Sequence, residues 1–155
     1  MKIQMKTAPI PLIELSENHR RSISITLQLV DKALCEWDDW TKGHLRSGVM
    51  YREQDTFSSA QKNDLRDKIV KIRRLIVRLR DELQLEPSVV ATSQPLVGHA
   101  SVLWEMLIDL NSRSLQAYGK VPDELAQYLD PVGEQLAAEM NDISRLFSQP
   151  TSAAT

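Results

Sequence analysis

Leu65, Ile69, Ile72, Ile76, Leu79 and Leu83 follow one another at spacings of four and three residues. This is the period at which a helix presents one continuous apolar seam to its neighbours. The same alternation runs through Ile23, Leu27, Val30, Leu34 and Trp37, and again through Leu96, Ala100, Leu103, Leu107 and Leu110. Toward the C-terminus, Val132, Leu136, Met140, Ile143 and Phe147 recur at a near-helical spacing and read as the inward positions of a last helix. The pattern predicts an all-α fold.

Local signals place the ends of these helices. Ser16 suits an N-cap, and Gly43 stands where a left-handed residue commonly closes a helix, so the first helix is expected over residues 17–42. A polar connection over residues 44–57 follows. Ser58 with Gln61 forms a capping-box pattern that opens the second helix, and Pro87 limits it. The third helix is expected from about Gln94 to Tyr118, since Gly119 and Pro122 are stop signals. Asp123 would cap a short segment to Leu129. Asp130 and Pro131 then supply a cap and a first helical residue for the last helix.

Short connections after the second and third helices favour antiparallel neighbours, and hence an up-down-up-down four-helix bundle over residues 16–148. Pro9 and Pro11 make residues 1–15 an extended N-terminal arm. Its Ile10, Leu12, Ile13 and Leu15 are too apolar for a purely solvated segment. Residues 149–155 read as a flexible tail.

Composition narrows the setting. A chain of 155 residues suits one domain with a continuous core. The net charge of −2 argues against a generally basic nucleic-acid binder. A single cysteine, Cys35, cannot form an internal disulfide, and the first residues lack the long uncharged core of a secretory signal, so a cytoplasmic protein is expected. No run of about 18 apolar residues suits a membrane span.

The charges are unevenly placed. Residues 61–80 hold eight Lys or Arg against two Asp, whereas residues 100–148 hold three basic against eight acidic residues. Arg66, Arg73 and Arg80 recur beside the seam of the second helix, and Asp31 and Asp38 hold the corresponding flank of the first. In an antiparallel pair Asp31 would approach Arg73 and Asp38 would approach Arg66. Lys71, Arg74 and Arg78, farther round the second helix, are the candidates for a phosphate-tracking nucleic-acid face. His19, Arg20 and Arg21 lie in the opening turns of the first helix, where the dipole disfavours positive charge, so they mark a candidate anion or acidic-partner site. Neutralisation by Glu14, Glu17 or a carboxylate near the end of the second helix, such as Glu82 or Glu86, is the structural alternative.

Catalytic and metal chemistry find little purchase. The three histidines do not converge in the expected bundle, and the paired E-x-x-H motifs of a di-iron site are missing from the sequence. Glu36 with Asp39, and Glu139 with Asp142, sit at i, i+3 spacings that a Mg²⁺-dependent all-α nucleotide hydrolase could use, but Glu36, Asp39 and Asp142 point away from the seams. No cofactor is implied.

Trp40, Tyr51 and Arg52 at the end of the first helix and in the following connection could border a partner groove. Ile25 and Leu29 on the first helix, with Val70 and Val77 on the second, add apolar surface outside the seams. A protein partner or a second copy would cover it. The expectation is a noncatalytic helical interaction module, with nucleic-acid binding and metal-dependent hydrolysis as alternatives.

Overall fold

Ser16 Oγ accepts the His19 backbone N–H at 3.1 Å and starts α1, Glu17–Thr41. Ser58 starts α2, Ser59–Glu82, through a full capping box: its hydroxyl accepts the Gln61 N–H, and the Gln61 side chain accepts the Ser58 N–H. Both helices end in the same way. Gly43, at φ +75°, lets its own N–H reach Trp40 O and the His44 N–H reach Asp39 O. At the end of α2 the left-handed residue is Gln84, φ +50°, with Leu85 N–H returning to Arg80 O. These paired returns satisfy carbonyls that a helix end leaves open.

The computed structural model describes residues 13–148, which divide between Ser88 and Val89 into two compact units. In the first, α1 and α2 run antiparallel: Arg20 meets Leu83 at one end and Arg66 meets Thr41 at the other. Leu34 and Ile69 are fully enclosed, with Leu83 and Leu85 beside the closed end. The expected extended arm lies outside the described residues except for residues 13–15, which are not helical.

The second unit contains α3, Ser93–Ile108, then α4, Ser112–Leu115, a 3-10 turn Gln116–Tyr118, and α5, Asp123–Ser148. The single third helix expected to Tyr118 is therefore broken at residues 109–111. Asn111 explains the break, because its Nδ2 donates to Ile108 O at the end of α3 while its Oδ1 accepts the Ser114 N–H and caps α4. Asp130 completes this corner by accepting both the Ser112 N–H and the Ser112 hydroxyl at 2.7 Å.

That use of Asp130 corrects the expected division of the last helix. Instead of capping a new helix, Asp130 reaches across to α4, and α5 runs through Pro131. An interior proline costs about 3 kcal/mol. The continuous packing of α5 against α3 offsets it, and the register of Ser112 against Asp130 and Leu110 against Gly133 makes that pair antiparallel.

The buried face of α5 is also rotated from the expected one. Gly133 and Ala137 are enclosed, as is Ala100 on the facing helix α3, whereas Val132, Leu136, Ile143 and Phe147 are exposed. Small side chains win the contact because they let the helix backbones approach more closely than large ones allow. Gly133 sets the limit of that approach: a Cβ there would stand 2.5 Å from the carbonyl oxygen of Leu110.

Gly133→Ala should therefore destabilise the protein by about 1–3 kcal/mol, although Gly to Ala in an open helix normally stabilises by up to about 1 kcal/mol. Urea unfolding compared with an exposed control, Ala138→Gly, measures the sign.

Candidate interaction surfaces

The basic start of α1 finds its partner in α2. Arg20 Nη1 donates to Leu83 O at 2.7 Å and to Gln84 O at 2.9 Å. Antiparallel packing sets the positive end of one helix dipole beside the negative end of the other, so the arginine that looks misplaced on α1 alone is well placed over the carbonyls of α2. The expected neutraliser was a carboxylate, Glu14, Glu17, Glu82 or Glu86; the observed partners of Arg20 are backbone oxygens. Arg21 and the His19 side chain are exposed, and among the described residues neither has an ion pair.

A mirror arrangement closes the opposite end. Arg66 Nη2 donates to Thr41 O at 2.6 Å and its Nε to Thr41 Oγ1 at 3.2 Å. Thr41 is buried, and its hydroxyl donates in turn to Asp38 O.

The expected pairs Asp31 with Arg73 and Asp38 with Arg66 are thus shifted along the helix. Arg73 instead lies 3.6 Å from Asp38, which also holds Lys42 at 2.7 Å. Side chains lean toward the N-terminus of their own helix. For α2 that direction runs toward the C-terminal end of α1, so each arginine overshoots its level partner. The hydrogen bond from Lys42, with the nearby Arg73 charge, holds the Asp38 carboxyl below the ordinary aspartate range.

On the outer side of α2, Lys71, Arg74 and Arg78 are exposed. Arg78 is paired with Glu82 at 2.8 Å, while Lys71 and Arg74 have no ion pair among the described residues.

The ionic edge separates the apolar candidates into two groups. By helical spacing, Val70 and Val77 lie beyond Arg66 and Arg73, on the outer side of that edge. Leu29 lies across the seam from it, on the same side as Val30, Trp37, Leu75 and Leu79, all of them exposed, with Leu29 at 63% and Leu75 at 57%. Ile25 is farther round. Spacing had grouped Ile25, Leu29, Val70 and Val77 only as outward and had placed Val30, Trp37 and Leu79 in the buried seams, and it did not single out Leu75.

The connection between α1 and α2 is built around Glu53, a residue that its sequence context does not distinguish. Its carboxylate accepts Trp40 Nε1 at 3.1 Å, the Arg46 N–H at 2.9 Å and the Tyr51 hydroxyl at 2.5 Å. Glu53 N–H donates to Arg46 O, Gly48 N–H to Tyr51 O, and Ser47 bridges Arg52. Trp40, Leu45, Glu53, Gln54, Asp55 and Phe57 line an open hollow of about 180 Å³, and Tyr51 and Arg52 lie outside its lining. Tyr51 and Trp40 are its anchors through Glu53. Arg52 is exposed, and Val49 and Met50 project from the tip of the loop, 100% and 95% exposed.

A second open hollow, about 490 Å³, lies in the unit formed by α3 to α5, with Trp104, Ile108, Arg113, Glu134 and Ala138 in its lining. Among the described residues, no group of three or more His, Cys, Asp or Glu side chains is placed to hold a metal ion. No helix among them is long and apolar enough to cross a membrane. No protein-family model, curated protein or solved structure matches the chain.

Two outcomes follow from these contacts. Arg20→Ala should lower stability by about 1.5–3 kcal/mol, as expected for a charged donor to backbone carbonyls, whereas Arg21→Ala should stay within about 0.5 kcal/mol of the parent; chemical denaturation measures both. The hydrogen bond from Tyr51, then that from Arg46 N–H, holds the Glu53 carboxyl below the ordinary glutamate range. A lowered folded-state pKa supplies stability above the unfolded value that is lost as pH falls through the folded one. The Trp40 fluorescence signal of loop order should therefore persist to a pH below the ordinary glutamate range and then collapse, and Glu53→Gln should remove that acid transition.

Proposed function

We propose that the protein is a noncatalytic helical interaction module that binds a protein partner or a second copy of itself. The observation that carries this reading is the row of large apolar side chains left open on α1 and α2, Leu29, Val30, Trp37, Leu75 and Leu79. A two-helix pair encloses only the side chains along its shared seam, and apolar surface flanking that seam gains free energy when another helical face covers it. A four-helix bundle, the arrangement that four long helices suit, is part of this reading. Val49 and Met50 support the same reading. A loop ordered by Glu53 displays them to solvent, which costs ordering entropy without the return of burial. A cytoplasmic setting accords with a lone exposed Cys35.

A second reading rests on Lys71 and Arg74, which have no ion pair among the described residues: a nucleic-acid-binding helical subunit tracking phosphates along α2. Arg74→Glu with Lys71→Glu would then abolish low-salt RNA or DNA gel shifts.

Two differently tagged copies of the full chain, expressed together in the native cell and recovered on one tag, test the first reading. Co-recovery of the second tag, or stoichiometric recovery of another protein, is expected. Leu29→Glu with Leu75→Glu should reduce it about tenfold or more, equivalent to at least about 1.4 kcal/mol, with the helical circular dichroism retained. A chain recovered alone and monomeric at tens of micromolar, about the range of weak association, would remove the reading.

A further inference from the structure

Rotation of α5 onto its small residues leaves a second, longer apolar stripe open. Leu125, Val132, Leu136, Ile143 and Phe147 are all exposed, and with Leu129 and Met140 they recur at spacings of three and four over residues 125–147, about 33 Å of helix. By spacing, Leu103 and Met106 of α3, both exposed, lie on the same side and widen the surface. This is a seam in the geometric sense, left partly open among the described residues.

The charges on α5 choose the occupant. The helix carries six carboxylates and one basic residue, Arg145. Asp130 is used in capping α4, and Asp142 has only Arg145, at 3.9 Å with both side chains exposed. Glu139 borders the stripe directly, with Glu124 and Asp142 on its outer side, and neither glutamate has an ion pair among the described residues. Pairing this face with the α5 of a second copy would set carboxylates against carboxylates, and like charges beside a helical seam are destabilising. A helix with an apolar stripe flanked by lysine or arginine meets both demands.

We infer that the open face of α5 docks a cationic amphipathic helix of a protein partner. The inference rests on the interaction-module reading but concerns a surface that the α1–α2 reading does not use. The apolar stripe supplies the contact area, and the carboxylates set the sign of the partner and its orientation. Leu136 and Ile143, 45% and 39% exposed, present the stripe to the partner.

The full chain is titrated with a fluorescent leucine–lysine amphipathic peptide of roughly 20 residues, a length matched to the stripe, and with its leucine–glutamate counterpart. Saturable binding of the lysine peptide alone is expected. It should weaken about tenfold or more in Leu136→Ala with Ile143→Ala, and again in Glu139→Lys with Asp142→Lys, each variant keeping its circular dichroism. Binding by neither peptide, equal binding by both, or lysine-peptide binding that ignores the Leu136 and Ile143 substitutions would overturn the inference. Leu29→Glu with Leu75→Glu should leave peptide binding unchanged. A failure at α5 with tagged-copy recovery intact therefore sinks this inference alone, and the reverse result sinks only the α1–α2 reading.

Discussion

An antiparallel helix pair must satisfy the carbonyl groups at its two C-terminal ends, and in the unit formed by α1 and α2 an arginine from the opposite helix does so at each end. Arg20 covers Leu83 and Gln84, and Arg66 covers Thr41. Each guanidinium sits where the partner's dipole is negative, so one set of contacts provides hydrogen bonds, favourable electrostatics and axial register. Sliding either helix by a turn would break both clamps together. Leu34 and Ile69 are enclosed in the stretch of seam between them.

The two units join their helices by different means. Between α1 and α2, long side chains fill the seam and arginines hold its edge. Between α3 and α5, Ala100, Gly133 and Ala137 bring the backbones close, and a polar corner of Asn111, Ser112 and Asp130 turns the chain. The Ser112 hydroxyl, followed by its N–H, holds the Asp130 carboxyl below the ordinary aspartate range, as expected for a carboxylate that accepts two short hydrogen bonds. Close backbone approach consumes small residues and sets large ones aside, which is why the second unit exposes so much of the apolar content of α5.

The proposed function is consequently a question about surfaces. Order is provided at the Glu53 loop and along the helices, while apolar groups remain open at Val49, Met50, Leu29, Leu75 and the stripe of α5. Charge divides these surfaces. The outer face of α2 is basic and α5 is acidic even though the chain as a whole is close to neutral.

The sequence by itself determined α1 and α2, because the signals that define them are local. Ser16, Gly43 and the Ser58–Gln61 box act within a few residues, and the apolar period of α1 and α2 correctly marks Leu34, Ile69 and Leu83 as inward. It also showed that His19, Arg20 and Arg21 break a local rule. Only the tertiary structure decided what resolves the conflict at Arg20, since the answer lies on residues more than sixty positions away. The same is true of Asp130, which looks like a cap for its own helix and caps another, and of Glu53, whose three donors come from separate turns of chain. Periodicity misread α5 because it ranks residues by hydrophobicity, whereas the helix contact was decided by size: Gly133 and Ala137 permit a close approach that Val132 and Leu136 would prevent.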